Sequence, residues 1–420
     1  PPSFTVQREE EIDLTRSNYS LFRMLARQTL AVGKTATEAA GCSFDISPAH
    51  KRLREDVKQF TREEIIPVAG ELDRTMEFPS AILRKAHSLH LLNTSVPSRE
   101  GSEPRDKLAQ SIISEEIGYG CTGVGLAMFI NELSMTPLLI AGDQRQKEAF
   151  LRPMTEDPLM AAYCVTESGA GSDVAAIRTK AVRSGDDYVI NGTKAWISNG
   201  GKASWYFVLA RTDFDPSAPA GRAFSAFAVP ANTQGIVLGK KEHNMGQRCS
   251  DTRMVTFEDV RVPEEWRIGE EGEGFKIVMR TFDATRPLVS SLATGLLARC
   301  LDESTNYLRG RTHYDFVVDQ STQFKLAEMA MNVELSRLMC YKSAAMIDSG
   351  AASSYHSSLA KTFAAEKANE AAAHAVEIFG HAGCREGECV EKLMRDAKIF
   401  QIYGGTTQIQ KLIISRLLLR

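Results

Sequence analysis

The chain has no charge excess, no paired cysteines and no long apolar run. Its 420 residues carry 50 Lys and Arg against 53 Asp and Glu, a formal charge of −3, so there is no global nucleic-acid or polyanion signature. No contiguous stretch approaches the ~18 apolar residues of a spanning helix; runs such as Leu138 to Ala141 are far shorter, and an integral membrane protein is not expected. The eight cysteines, Cys42, Cys121, Cys164, Cys249, Cys300, Cys340, Cys384 and Cys389, form no CxxC pair and read as reduced, mostly buried thiols. His87 and His90 stand three apart without a ligand cluster, so no metal site is expected. Neither GxGxxG nor a Walker A loop is present, which excludes the nicotinamide and P-loop readings. With 43% hydrophobic and 25% charged residues, the composition is that of an ordinary globular protein, not a collagen-like, mucin-like or wholly disordered chain.

The pattern along the chain is helical, then β, then helical. Residues 1–41 form an N-terminal extension, expected as an ordered arm that contacts a partner. There Glu9, Glu10 and Glu11 precede an amphipathic stretch with Phe22, Leu25 and Leu30 on one face and Arg23 and Arg27 beside it. The chain starts on Pro, which fits a processed end, but the acidic triplet argues against a complete transit peptide. Residues 42–156 read as a helical domain. Ser47 is a candidate N-cap, helical periodicity runs up to Pro67, and Leu108–Tyr119 and Thr136–Phe150 look similar. Residues 157–273 read as a middle antiparallel β domain, from the runs at Tyr188, Trp205, Phe224 and Arg253. Residues 274–420 return to long helices rich in Ala, Leu and Met. The fold class is α+β.

Three turns carry candidate chemistry. Tyr163 to Asp173 is an apolar strand end running into a Gly- and hydroxyl-rich turn, which lets a flat ligand approach the backbone; the same pattern also serves as a plain tight turn. In Lys194 to Gly201, Trp196 can cover a flat ring and Ser198 can bond a ring nitrogen, or the Trp can belong to the core. In Tyr403 to Gln410, Gly404 and Gly405 permit unusual backbone geometry before a helix N-terminus that could hold a phosphate; a capped turn is the alternative.

Together these segments resemble the acyl-CoA dehydrogenases, most closely the mitochondrial medium-chain type. The resemblance runs from about residue 42 to 420 through REEIIPVAGELD, EEIGYGCTGVG, PLMAAYCVTESGAGSDVAAIRTKA, WISNGGKASWYFVLARTD, NMGQRCSDTR, FEDVRVP, FDATRP, LAEMAMNVELSR, VEKLMRDAKI and QIYGGTTQIQKLIISR. It implies the acyl-CoA dehydrogenase fold, with an N-terminal helical domain, a middle β domain and a C-terminal helical bundle. It implies FAD as cofactor and oxidation of an acyl-CoA to the trans-2-enoyl-CoA, in fatty acid β-oxidation. By position, Tyr163, Cys164, Val165, Thr166, Gly171, Ser172, Trp196, Ile197, Ser198, Arg311, Gln320, Thr406, Thr407 and Gln408 would bind the cofactor. Ser172, Asp283, Thr285, Arg286 and Gly405 would bind the substrate. Implied partners are acyl-CoA or CoA, an electron-transfer flavoprotein, and further copies in a dimer or tetramer or other subunits of a mitochondrial complex; nucleic acid is not among them. The implied location is the mitochondrial matrix, with inner-membrane association through a partner.

The sequence departs from the family at the base. The medium-chain type places its catalytic Glu at the position of Gly404, and relatives with the alternative placement carry it at that of Thr285, so no catalytic residue is assigned. Further departures are Arg311 to Asp315 for a basic turn, Glu377 for a Gln near the adenosine half of FAD, where a bare carboxylate would repel phosphate, His381 in a close-packed glycine turn, Gly221 for an Asn, and Gly101 to Asp106 for a glycine-rich stretch. Two readings follow: a dehydrogenase-like flavoprotein of impaired activity, or a catalytically inactive structural or accessory subunit of a larger mitochondrial respiratory assembly. A related oxidase with another base finds no candidate carboxylate.

Overall fold

The computed structural model describes residues 45–97, 103–311, 318–351 and 354–420. The N-terminal extension, and residues 101–102 and 312–315 of the departures above, lie outside the described residues.

Helix α1 (Pro48–Phe60) does not stop before Pro67. A π-helical turn, Thr61–Ile65, joins it to α2 (Ile66–Thr75), with Pro67 in the first turn of α2. The π turn, with Ile66 N–H bonded to the Thr61 carbonyl, lets the helix continue past a residue that has no N–H to give. Helices α3 (Ser80–Ser88), α4 (Lys107–Gly120) and α5 (Thr122–Ala141) follow. Thr136–Phe150 is not one helix: α5 ends at Ala141, and Asp143 and Gln146 form a capping box that starts a new turn. By length and composition α5 could cross a membrane, yet 83% of its most apolar window is buried inside the fold, as in a core helix. Contiguous-run counting misses it because Thr, Asn and Glu interrupt the apolar residues. Short α6 (Arg152–Glu156) leads into the sheet.

The sheet comprises β1 (Met160–Cys164), β2 (Lys180–Ser184), β3 (Asp187–Ile197), β4 (Ala203–Arg211), β5 (Phe224–Pro230), β6 (Ile236–Lys241), β7 (Arg253–Pro263) and β8 (Arg267–Ile268). Their order is β6-β7-β3-β2-β4-β5-β8, with β1 beside β4. The sheet is mixed, not wholly antiparallel, because β4 pairs in parallel with both β1 and β2. Strand alternation sorts the side chains into two cores. Tyr163, Val165 and Phe207 join the helix-facing core, while Cys164, Ile197 and Tyr206 join one built from the sheet alone.

Helices α7 (Gly274–Arg311), α8 (Gln320–Asp348), α9 (Ser354–Phe379), α10 (Cys389–Ala397) and α11 (Thr407–Leu418) complete the chain. Helix α7 lies against α4 and α5 so closely that two glycines are required. A Cβ on Gly118 would stand 2.5 Å from the Leu292 carbonyl oxygen, and one on Gly295 would stand 2.0 Å from that of Glu115.

Candidate functional site

The strand-to-turn segment after β1 is pinned from below. The Glu167 carboxylate accepts from Arg178 N (2.7 Å), Thr179 N (2.9 Å) and Thr179 Oγ1 (2.6 Å). It also accepts from the fully buried Lys194 Nζ at 3.0 Å. Burial opposes charge on both partners; at Glu167, Lys194 and the Thr179 hydrogen bonds outweigh it and hold the carboxyl below its ordinary range. Neither residue stood out in the sequence. The available signal was a Lys inside a strand-like run, next to Ala195 and Trp196. This pair fixes the turn so that Thr166 is half-buried and Gly171 and Ser172 are exposed.

Trp196 stands at an irregularity in the β3–β7 pairing, between Lys194 and Ile197. Its backbone is left-handed (φ 59°) and its indole is 63% exposed, both unusual for a large ring. The bulge turns this one side chain out of the pleat. Ser198 is half-buried, with its hydroxyl 3.2 Å from Thr252 Oγ1. Cys164 and Ile197 turn their side chains into the all-sheet core, so these two positions offer a ligand their backbone only.

The C-terminal turn is the third candidate segment. Gly404 (φ 64°) and Gly405 (φ 87°) are both left-handed. Gln410 Nε2 donates to the Gly404 carbonyl at 3.1 Å. Lys361 Nζ, fully buried on α9, donates to the Gly405 carbonyl at 2.6 Å. Burial, reinforced by the Arg286 charge, pushes the Lys361 ammonium down to about 7. Thr406 caps α11, accepting from Ile409 N at 3.2 Å; Thr407 is buried and Gln408 exposed. A Cβ on Gly404 would meet only Val289 Cγ2 of α7, at 3.9 Å.

Helix α7 joins the two halves. Phe282 lies 6.0 Å from the Tyr163 ring, which stacks on Phe207 at 4.6 Å. Thr285 is buried and its hydroxyl donates to the Thr281 carbonyl at 2.8 Å. The buried Arg286 pairs with Asp283, which also accepts from Ser354 of α9. Gln247 closes the other side, donating to the Tyr403 hydroxyl at 3.4 Å while its N–H meets Asp396. Several of these residues keep a buried atom without a hydrogen-bond partner, as do residues elsewhere in the fold: Tyr163 Oη, Gln247 Oε1, Arg286 Nε and Gln410 Oε1. A ligand or solvent can partner such atoms.

Four carboxylates touch these residues, and each is engaged. Asp283 holds Arg286 and Ser354, and Asp396 holds Lys392, Thr122 and Gln247. Asp251 holds Arg253 and Gly201, and Glu167 holds Lys194.

Arg311 and Gln320 are not brought to this site within one chain. Twenty-six residues of α7 separate Arg311 from Thr285, roughly 39 Å at the helical rise. Arg311 lies over the Tyr307 ring at 4.4 Å, and Gln320 is exposed at the start of α8. Glu377, at the same end, is not a bare carboxylate: Lys325 is bonded to it. His381 is exposed.

Three acyl-CoA dehydrogenase family models match in succession: the N-terminal domain over residues 47–157, the middle domain over 162–260 and the C-terminal domain over 272–419. This chain belongs to the acyl-CoA dehydrogenase family. It is 46% identical over 397 residues to a Caenorhabditis briggsae protein named "Probable medium-chain specific acyl-CoA dehydrogenase 2, mitochondrial", covering 94% of this chain and 96% of that one. Among solved structures it is similar to butyryl-CoA dehydrogenase from Megasphaera elsdenii, at 32% identity and a TM-score of 0.85 over 90% of this chain and all of the other. A glutaryl-coenzyme A dehydrogenase with glutaryl-CoA gives the same TM-score at 29% identity, over 90% of this chain and 98% of that one. The family's members are FAD-dependent flavoproteins, and the chain fits that cofactor. The outward Trp196 indole offers a flat apolar face, and the α11 N-terminus offers N–H groups.

Proposed function

We propose that this chain is an FAD- and acyl-CoA-binding flavoprotein of short- to medium-chain type whose α,β-dehydrogenation is slowed by loss of its base. One observation carries the reading: at the two family base positions stand Gly404, with no side chain, and Thr285, whose hydroxyl is tied to the Thr281 carbonyl. Nearby carboxylates are held in ion pairs or hydrogen bonds and are unavailable to take an α-proton.

Trp196 and Ser198 would face the flavin ring, and the turn at Thr406 and Thr407 would hold its phosphate or ribose. Bound FAD supplies a hydride acceptor. Asp283 and Arg286 would position the CoA arm. The Gly404 N–H stays available to polarise a thioester carbonyl, which favours binding even where no group removes the proton.

An electron-transfer flavoprotein as acceptor and a mitochondrial location are supported by the family and by the nematode relative's name. Self-association is supported by a stripe of exposed side chains on α8: Phe324, Met331, Leu335 and Leu338. The test is titration of the purified protein with butyryl-CoA and octanoyl-CoA while the visible flavin band is followed. The expected result is a flavin band perturbed by ligand and bleached slowly or not at all. Fast bleaching, or a protein that takes up no flavin, overturns the reading.

A further inference from the structure

Away from the candidate site, α8 and α9 bring together a mixed set of metal-ligating side chains. Glu328 of α8 and Glu370 and His374 of α9 place two carboxylate oxygens and an imidazole nitrogen all within 4.8 Å of one another. Glu370 and His374 stand four apart on one helix, so they share a face one turn apart. Glu328 reaches them because α8 and α9 pack side by side, a register also marked by the Lys325–Glu377 ion pair. The histidine spacing predicts no such site, because packing assembles it across the 42 residues between Glu328 and Glu370. Among the described residues, neither Glu328 nor His374 makes a hydrogen bond or ion pair, so neither has a protein partner to give up. Lys367 bonds Glu370 Oε2 at 2.7 Å, and the carboxylate has a second oxygen to offer. Carboxylates alone suit calcium or magnesium, or simply water; an imidazole among them favours a first-row transition ion. Zinc binds His nitrogen and Glu oxygen at ~2.0–2.2 Å, so tetrahedral neighbours stand about 3.4 Å apart. A small rotation of the exposed Glu328 side chain closes that difference.

We propose that Glu328, Glu370 and His374 form a zinc site that clips α8 to α9, with water as the fourth ligand. The ligands come from two helices, so the ion binds the folded pair and not the unfolded chain, and occupancy stabilises the fold by mass action. None of the three residues is assigned to flavin or acyl-CoA, so the inference stands apart from the proposed function.

The test uses the full-length purified protein, treated with EDTA and then gel-filtered. Zinc chloride is titrated into it in a calorimeter, and thermal melting is followed with and without zinc. The expected result is one zinc per chain and a higher melting temperature with zinc, neither reproduced by magnesium chloride. Binding should be at least about 10–100-fold weaker in His374→Ala and in Glu328→Gln, since even a supporting residue of a metal site is worth that much. Cobalt(II) chloride separates this site from the exposed Cys384: the expected visible bands come without a thiolate-to-cobalt charge-transfer band. No saturable zinc uptake, binding that survives both substitutions, or a thiolate band overturns the proposal. Should a variant not fold, modification of the wild type by diethyl pyrocarbonate, mapped by mass spectrometry, decides. Zinc should protect His374, and equal modification with and without zinc overturns the site.

Discussion

Lys361 Nζ lies 2.6 Å from the Gly405 carbonyl, so the loop that carries Gly404 is held from inside the fold by a buried lysine. The loop's shape therefore does not depend on a side chain at 404.

Gly404→Glu should gain flavin bleaching with octanoyl-CoA. A positioned base contributes typically 10²–10⁴-fold, and the only atom near the new Cβ is Val289 Cγ2 at 3.9 Å. The left-handed φ of 64° sets the cost, about 1–2 kcal/mol for an L-residue. Stopped-flow reduction and thermal denaturation read the two effects. No gain in a folded, flavin-loaded variant would place the defect beyond the missing base.

Lys361 gives stability a pH dependence. Its folded value, about 7, lies below the unfolded one near 10.5, so between these limits the unfolded chain binds more protons and stability rises with pH. Below about pH 7 the burial penalty is fully present. Urea unfolding from pH 7 to 10 should show an upward contribution that Lys361→Met removes. An unchanged slope in that variant would refute it.

Lys194→Met should be severely destabilising. It leaves Glu167 part-buried without its counter-charge, and breaking a buried pair costs about 3–5 kcal/mol. A loss of unfolding free energy of under about 1 kcal/mol, within the range of an exposed pair, would count against the pinning role. Glu167→Gln, which leaves the fully buried Lys194 without its counter-charge, should also destabilise.

Trp196→Ala separates binding from folding. With the indole 63% exposed, stability should change within about 0.5 kcal/mol, as at other surface sites. Flavin retention through gel filtration should fall sharply. Equal retention would deny the indole a role at the ring.

The order of domains and the three turns were legible because glycine, hydroxyl and strand patterns are local. The left-handed backbone at Gly404 and Gly405 followed directly from residue type. Side-chain direction did not. Cys164 and Ile197 sit in motif segments, yet the period of two sends them to the other face of the sheet. The parallel partners of β4 are set by long-range packing, which no local pattern encodes. Lys361 escaped notice although a lone Lys on an alanine-rich helix face was its signal. Lys325 escaped because 52 residues separate it from Glu377. The helix through Pro67 was hidden because a π turn absorbs the proline, and composition does not announce π turns.

The glycine contacts of Gly118 and Gly295 bring backbone against backbone along the seam of α4 and α7. Parts fitted that closely have no slack for sliding or hinging past one another. On the proposed function, a thioester would then enter past side chains and loops rather than by parting α4 from α7 along this seam.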